Sequence, residues 1–105
     1  MDAVTALSGS GPAYVFALTE CMAEAGINAG LPEALAHQLA RETVAGAGEL
    51  LNQAPESASE LCINVTSPGG TTAAALKILM AKGGLKELLK FSIKAGTKRS
   101  RELAG

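Results

Sequence analysis

Residues 66–72 read TSPGGTT, set between ASELCINV at 58–65 and AAALKILMAK at 73–82. Both flanks look helical and neither alternates as a strand would, so the cluster is at the least a turn between two helices. A plain turn needs far less than two glycines, a proline and four hydroxyls. Working outward from this stretch decides the fold class, because no other part of the chain alternates either. The expectation is an all-α domain of about five helices.

The helices are delimited by Gly and Pro. The first starts near Pro12, which suits a first helical turn because its missing N–H would be unpaired there anyway. It runs through AYVFALTECMAEAG toward Gly26 or Gly30, with Val15, Leu18, Met22 and Ala25 at helical spacing as its expected buried face. LPE at 31–33 opens the second, with Glu33 placed to complement the dipole. Ala36, Leu39, Thr43, Ala47 and Leu50 line one side of it. Gly46 and Gly48 interrupt it at a cost of up to roughly 1 kcal/mol each against Ala, which suggests close helix packing. Ser57 and Glu60 have capping-box spacing and start a third helix at about 58–64. A fourth runs from Gly70 or Thr71 to Lys82, where KGG breaks it. LKELLKFSIKAGTKRSREL forms the fifth, with lysines every four residues from Lys82 to Lys98 as a polar stripe.

The chain has 105 residues, 48% hydrophobic and 18% charged, which fits one globular domain. Only Tyr14, Phe16 and Phe91 are aromatic, so the core is expected to be aliphatic and rich in Ala, and a partner subunit is a natural complement. The net charge of −1 conceals a split: eight acidic side chains face Arg41 alone in residues 1–60, and eight basic ones face Glu87 and Glu102 in 61–105. That split suits contact between halves or subunits, an anionic ligand, or simply two solvated faces. The lysine stripe lacks interleaved aromatics, so no nucleic-acid partner is indicated. No apolar run is long enough to span a bilayer and no basic leader precedes an apolar core, so the expected setting is cytosolic.

The chemistry lies in TSPGGTT. Gly69 and Gly70 stand directly before a helix, whose first turn has backbone N–H groups without intrahelical partners. Two positions without side chains let an anion approach those groups, and the dipole favours its charge. Thr71 and Thr72 add hydroxyls at the rim. The competing reading is structural: Ser67 or Thr66 caps the helix and the glycines only make the turn. A nucleotide P-loop is excluded, since neither its pattern nor a preceding strand is present. LSGSGPAY at 7–14 reads as a second loop of the same character. His37, the one histidine, reads as a surface or interface residue, Cys21 and Cys62 as buried thiols, and no spacing indicates a metal site.

VTALSGSGPAY at 4–14, GLP at 30–32, VTSPGGTT at 65–72 and KRSREL at 98–103 resemble, in order and spacing, the C-terminal domain of pyrroline-5-carboxylate reductase. The resemblance covers essentially the whole chain. Thr71 and Met80 depart from the family pattern without touching the core of the motif. The resemblance implies an enzyme that reduces 1-pyrroline-5-carboxylate to L-proline with NADPH or NADH. In that family a Rossmann domain holds the nucleotide, and a helical domain like this one interlocks subunits as homodimers, which can assemble further. On this reading the Rossmann half is absent and Met1 lies near the domain junction. The resemblance also implies that Val65, Ser67, Gly70, Thr71 and Thr72 bind the substrate, and that Asn64, Gly11 and Pro12 lie near the nicotinamide end of the cofactor. No catalytic acid or base is implied. The alternative is a purely structural oligomerisation module with no ligand site of its own.

Overall fold

The glycines and prolines that punctuate the sequence mark the helix ends in the structure, a computed structural model describing residues 1–105. In order these are a one-turn α1 (Asp2–Val4), a π-helical turn (Thr5–Gly9), α2 (Gly11–Asn28), α3 (Glu33–Gln53), α4 (Ala58–Asn64), α5 (Thr71–Leu79) and α6 (Leu85–Ala104), with no strand. The chain is all-α as expected, and α2 to α6 are the five helices read from the sequence. Helix α5 stops at Leu79 rather than Lys82, because Met80 (φ −98°, ψ 10°) leaves the helix and Gly83 takes a positive φ of 79°.

The chain forms two compact units, residues 11–55 and residues 1–10 with 56–105. In the first, α2 packs on α3. Gly30 (φ 110°) ends α2 in a Schellman arrangement: the Leu31 N–H donates to Gly26 O at 3.0 Å and the Gly30 N–H to Ile27 O at 3.0 Å. The seam between the helices is made of small residues. Ala23, Ala36 and Ala40 are buried, and a Cβ added to Gly26 would lie 3.5 Å from that of Ala36. Two expectations are corrected here. Val15, Leu18 and Met22 on α2, and Leu39 and Leu50 on α3, are exposed rather than buried. Gly46 and Gly48 meet nothing within 4 Å, so they serve no packing inside the chain. The reason is common to both: two helices cover only one stripe of each other, and the chain spends that stripe on alanines.

In the second unit the N-terminal segment packs along α6. Ala6 is buried, and the Asp2 carboxylate accepts a hydrogen bond from Ser100 Oγ at 2.9 Å and lies 3.9 Å from Arg101 Nε. Residues 7–14 are therefore not a loop. Ser10 keeps helical dihedrals (φ −86°, ψ −14°), and the Ser8 hydroxyl bonds back to Val4 O at 2.9 Å. Contact with α6 and this local back-bonding override the weak helix preference of Gly and Ser. The capping box of α4 is present as read. Ser57 Oγ accepts from the Glu60 N–H at 3.1 Å, and Glu60 Oε1 accepts from the Ser57 N–H at 3.3 Å. Helices α4 and α5 touch other helices only marginally, and Ile63, Val65, Ile78, Leu79 and Met80 stay exposed, Ile78 by 80%. Cys21 and Cys62 are likewise exposed, not buried, because each sits on a helix face that nothing in the chain covers.

Candidate functional site

The α4–α5 connection is built by three local devices. Helix α4 closes on Val65 and Thr66, whose N–H groups donate to Cys62 O at 3.3 Å and Ile63 O at 3.0 Å, while Thr66 Oγ1 donates to Cys62 O at 2.6 Å. Ser67–Pro68–Gly69–Gly70 then forms a β-turn closed by the Gly70 N–H on Ser67 O at 3.0 Å. With proline at its second position and Gly69 at φ 71° in its third, it has the signature of a type II turn. Gly70 is the N-cap of α5 in extended backbone (φ −88°, ψ −175°), and no side chain caps the helix.

This arrangement decides between the two sequence readings of the turn. Thr66 closes the helix before it, and neither its hydroxyl nor that of Ser67 caps α5. The first intrahelical bond of α5 runs from the Ala74 N–H to Gly70 O at 3.2 Å. The N–H groups of Thr71, Thr72 and Ala73 are consequently left without an intrahelical partner at the positive end of the helix dipole. The Gly70 N–H, counted among the donors in the sequence reading, is used by the turn. Ala73 takes its place, and counting the first turn from a Gly70 N-cap finds it. Above these donors, bare glycines leave an open approach.

Asn64, Val65, Ser67, Gly70, Thr71 and Thr72 thus share one connection, with Val65 exposed by 65% and Thr72 half-buried. Gly11 and Pro12 belong to the other unit, in the first turn of α2. His37 is half-buried beside a groove between α2 and α3 that also contains Glu20 and Arg41. No three His, Cys, Asp or Glu side chains converge as metal ligands, and no helix is long and apolar enough to cross a membrane.

Residues 1–103 match the family described as pyrroline-5-carboxylate reductase dimerisation. The chain belongs to this family. It is similar to the pyrroline-5-carboxylate reductase of Synechocystis, 46% identical over 103 residues, which cover 98% of this chain and 38% of the relative. The Arabidopsis thaliana enzyme is 48% identical over 103 residues, with 98% and 37% covered. Among solved structures, the Plasmodium falciparum pyrroline carboxylate reductase with NADP bound superposes with a TM-score of 0.91 at 33% identity, covering all of this chain and 40% of that one. The Coxiella burnetii enzyme gives 0.91 at 41% identity, covering 97% and 37%. The chain therefore spans less than half the length of these relatives, and the helical architecture is the one that the family's dimerisation region has in them.

Proposed function

We propose that these residues supply the subunit interface and the substrate-carboxylate cradle of an enzyme that reduces 1-pyrroline-5-carboxylate to L-proline with NADPH or NADH. The observation that carries this reading is the uncapped N-terminus of α5, with the Thr71, Thr72 and Ala73 N–H groups free behind Gly69 and Gly70. Such a site suits a small anion. The substrate is a cyclic imine bearing one carboxylate, and membership of the family makes it the anion to expect. In this reading the Thr72 hydroxyl adds a donor, Ser67 and Val65 line the same pocket, and Asn64, Gly11 and Pro12 lie toward the nicotinamide.

An all-helical chain offers no strand-end crevice for a dinucleotide, so residues 1–105 do not hold the pyrophosphate. What they fit is the substrate end of the reaction. The nicotinamide, when bound, supplies the hydride. The protonated imine carbon is already electrophilic, so the cradle contributes by holding the carboxylate and thereby aiming that carbon, without a side chain that moves a proton. The second part of the proposal is a homodimer with interlocked helices, in which the cradle closes the site between two subunits. Exposed apolar residues on every helix from α2 to α6 support it, because a soluble monomer rarely leaves so much apolar surface bare. A purely structural module would leave the α5 donors unused.

The test joins residues 1–105 to the remainder of the Synechocystis relative and follows NADPH and NADH oxidation with pyrroline-5-carboxylate. Turnover is expected, and Thr72→Ala should raise KM at least about tenfold, the cost of one hydrogen bond to a charged group. A chimaera whose Thr72→Ala form matches its parent in both kcat and KM removes the cradle. In residues 1–105 alone, proline at millimolar concentration should shift the amide signals of Thr71 to Ala73, and no shift from Val65 to Ala74 would favour the structural module.

A further inference from the structure

A homodimer needs two faces that meet, and exposure and charge single them out. The residues of α6 fall into three strips at helical spacing. Ile93, Gly96, Thr97 and Ser100 are half-buried on the side of the N-terminal segment, to which Ser100 is hydrogen-bonded. Lys86, Lys90, Lys94 and Lys98 recur every four residues and are exposed. Beside them Leu88 and Phe91, 59% and 62% exposed, form with Ala95 an apolar strip that nothing in the chain covers.

Residues 11–55 present the complement. A groove of about 470 Å³ between α2 and α3 is walled by Val15, Phe16, His37 and Val44, with Glu20 and Arg41 at its side, and Phe16 is 71% exposed. Five carboxylates stand in these residues against Arg41 alone, whereas residues 1–10 and 56–105 carry eight basic side chains against five acidic ones. Glu20 and Glu24 lie one turn apart on α2, the same four-residue spacing as Lys90 and Lys94 on α6. The apolar strip and the apolar groove are thus flanked by opposite charges, and both lie open on one chain. A second copy offers each to the other, and two-fold symmetry makes the contact twice.

We infer that the Leu88–Phe91–Ala95 strip of one protomer docks into the α2–α3 groove of a second copy, with Lys90 and Lys94 set against Glu20 and Glu24. This rests on the homodimer proposed above and says which surfaces make it. Charge complementarity fixes the register, and the apolar strip supplies the burial.

A charge exchange tests it on the 105-residue chain, with helicity checked by circular dichroism. The doubly reversed chains K90E/K94E and E20K/E24K should each homodimerise at least about tenfold more weakly than wild type at low salt, because both contacts then set like charges together. Mixed in equal amounts they should form a heterodimer near wild-type affinity, since each contact again joins opposite signs. A contact within one chain gives no such rescue. Should a double reversal lose helicity, the single variants K94E and E24K carry the same comparison. If wild type is a dimer and the reversed chains homodimerise equally well, or their mixture restores nothing, the docking is wrong and the homodimer stands. A wild-type chain that sediments as a monomer at micromolar concentration overturns both.

Discussion

Replacing Gly84 by alanine is expected to be the most damaging small change in the chain. Gly84 is the N-cap of α6, and its backbone (φ −86°, ψ −153°) is one that other residues can approach, so the difficulty is space. A Cβ placed there would lie 2.2 Å from Leu79 O and 2.7 Å from Ala81 O, both backbone atoms. Neither oxygen moves unless the turn between α5 and α6 opens. Opening it gives up the Gly84 N–H bond to Ala81 O at 2.8 Å, worth about 1 kcal/mol, and displaces the Gly83 N–H from the Glu87 carboxylate that accepts from it. Residual overpacking strain adds about 1–3 kcal/mol, for a total of roughly 2–4 kcal/mol. At that size the midpoint of thermal unfolding should fall by roughly 10–20 °C. The assay is differential scanning calorimetry at one fixed protein concentration, because an associating chain has a concentration-dependent midpoint. Gly83→Ala, which meets only strain at φ 79°, should cost about 1–2 kcal/mol and serves as the milder comparison. A Gly84→Ala chain that unfolds no earlier than Gly83→Ala would refute the steric argument.

Ser57→Ala removes the hydroxyl that accepts from the Glu60 N–H, and should lower stability by about 0.5–2 kcal/mol in urea unfolding without changing the dimer constant. Gly46 has open space around it in the chain and lies on the same α3 face as the exposed Leu39 and Leu50. If a second copy covers that face, Gly46→Ala weakens the dimer in sedimentation equilibrium, and this is the expected result. A gain of up to roughly 1 kcal/mol, the helix preference of Ala over Gly, would show the face to be solvated. Gly70→Ala brings a Cβ to 3.2 Å from Ser67 O, so it should disturb the turn slightly and the carboxylate approach more. Proline-induced amide shifts should therefore shrink while helicity stays within error, and unchanged shifts would place the ligand elsewhere.

What could be read from the residues alone was what a few neighbouring residues decide. The Ser57/Glu60 capping box, the stop at Gly30, the break at KGG and the order of five helices each rest on caps and φ preferences encoded within one turn. The family was legible for a related reason: TSPGGTT is a contiguous motif whose spacing carries its chemistry. The same local logic failed at residues 2–14. Gly and Ser argued for a loop there, whereas contact with α6, almost the whole chain away, keeps that backbone helical. It failed also at Cys21, Cys62 and the Val15–Leu18–Met22 face, which were expected inside and are exposed. An apolar stripe at helical spacing states that a face needs cover, and nothing in its own residues names the cover. Only the tertiary structure decided that α2 and α3 meet along alanines, and that α4 and α5 find little support within the chain. It also showed which N–H groups at the head of α5 are free, because that depended on how the turn used Gly70 and on where Thr66 spent its hydroxyl.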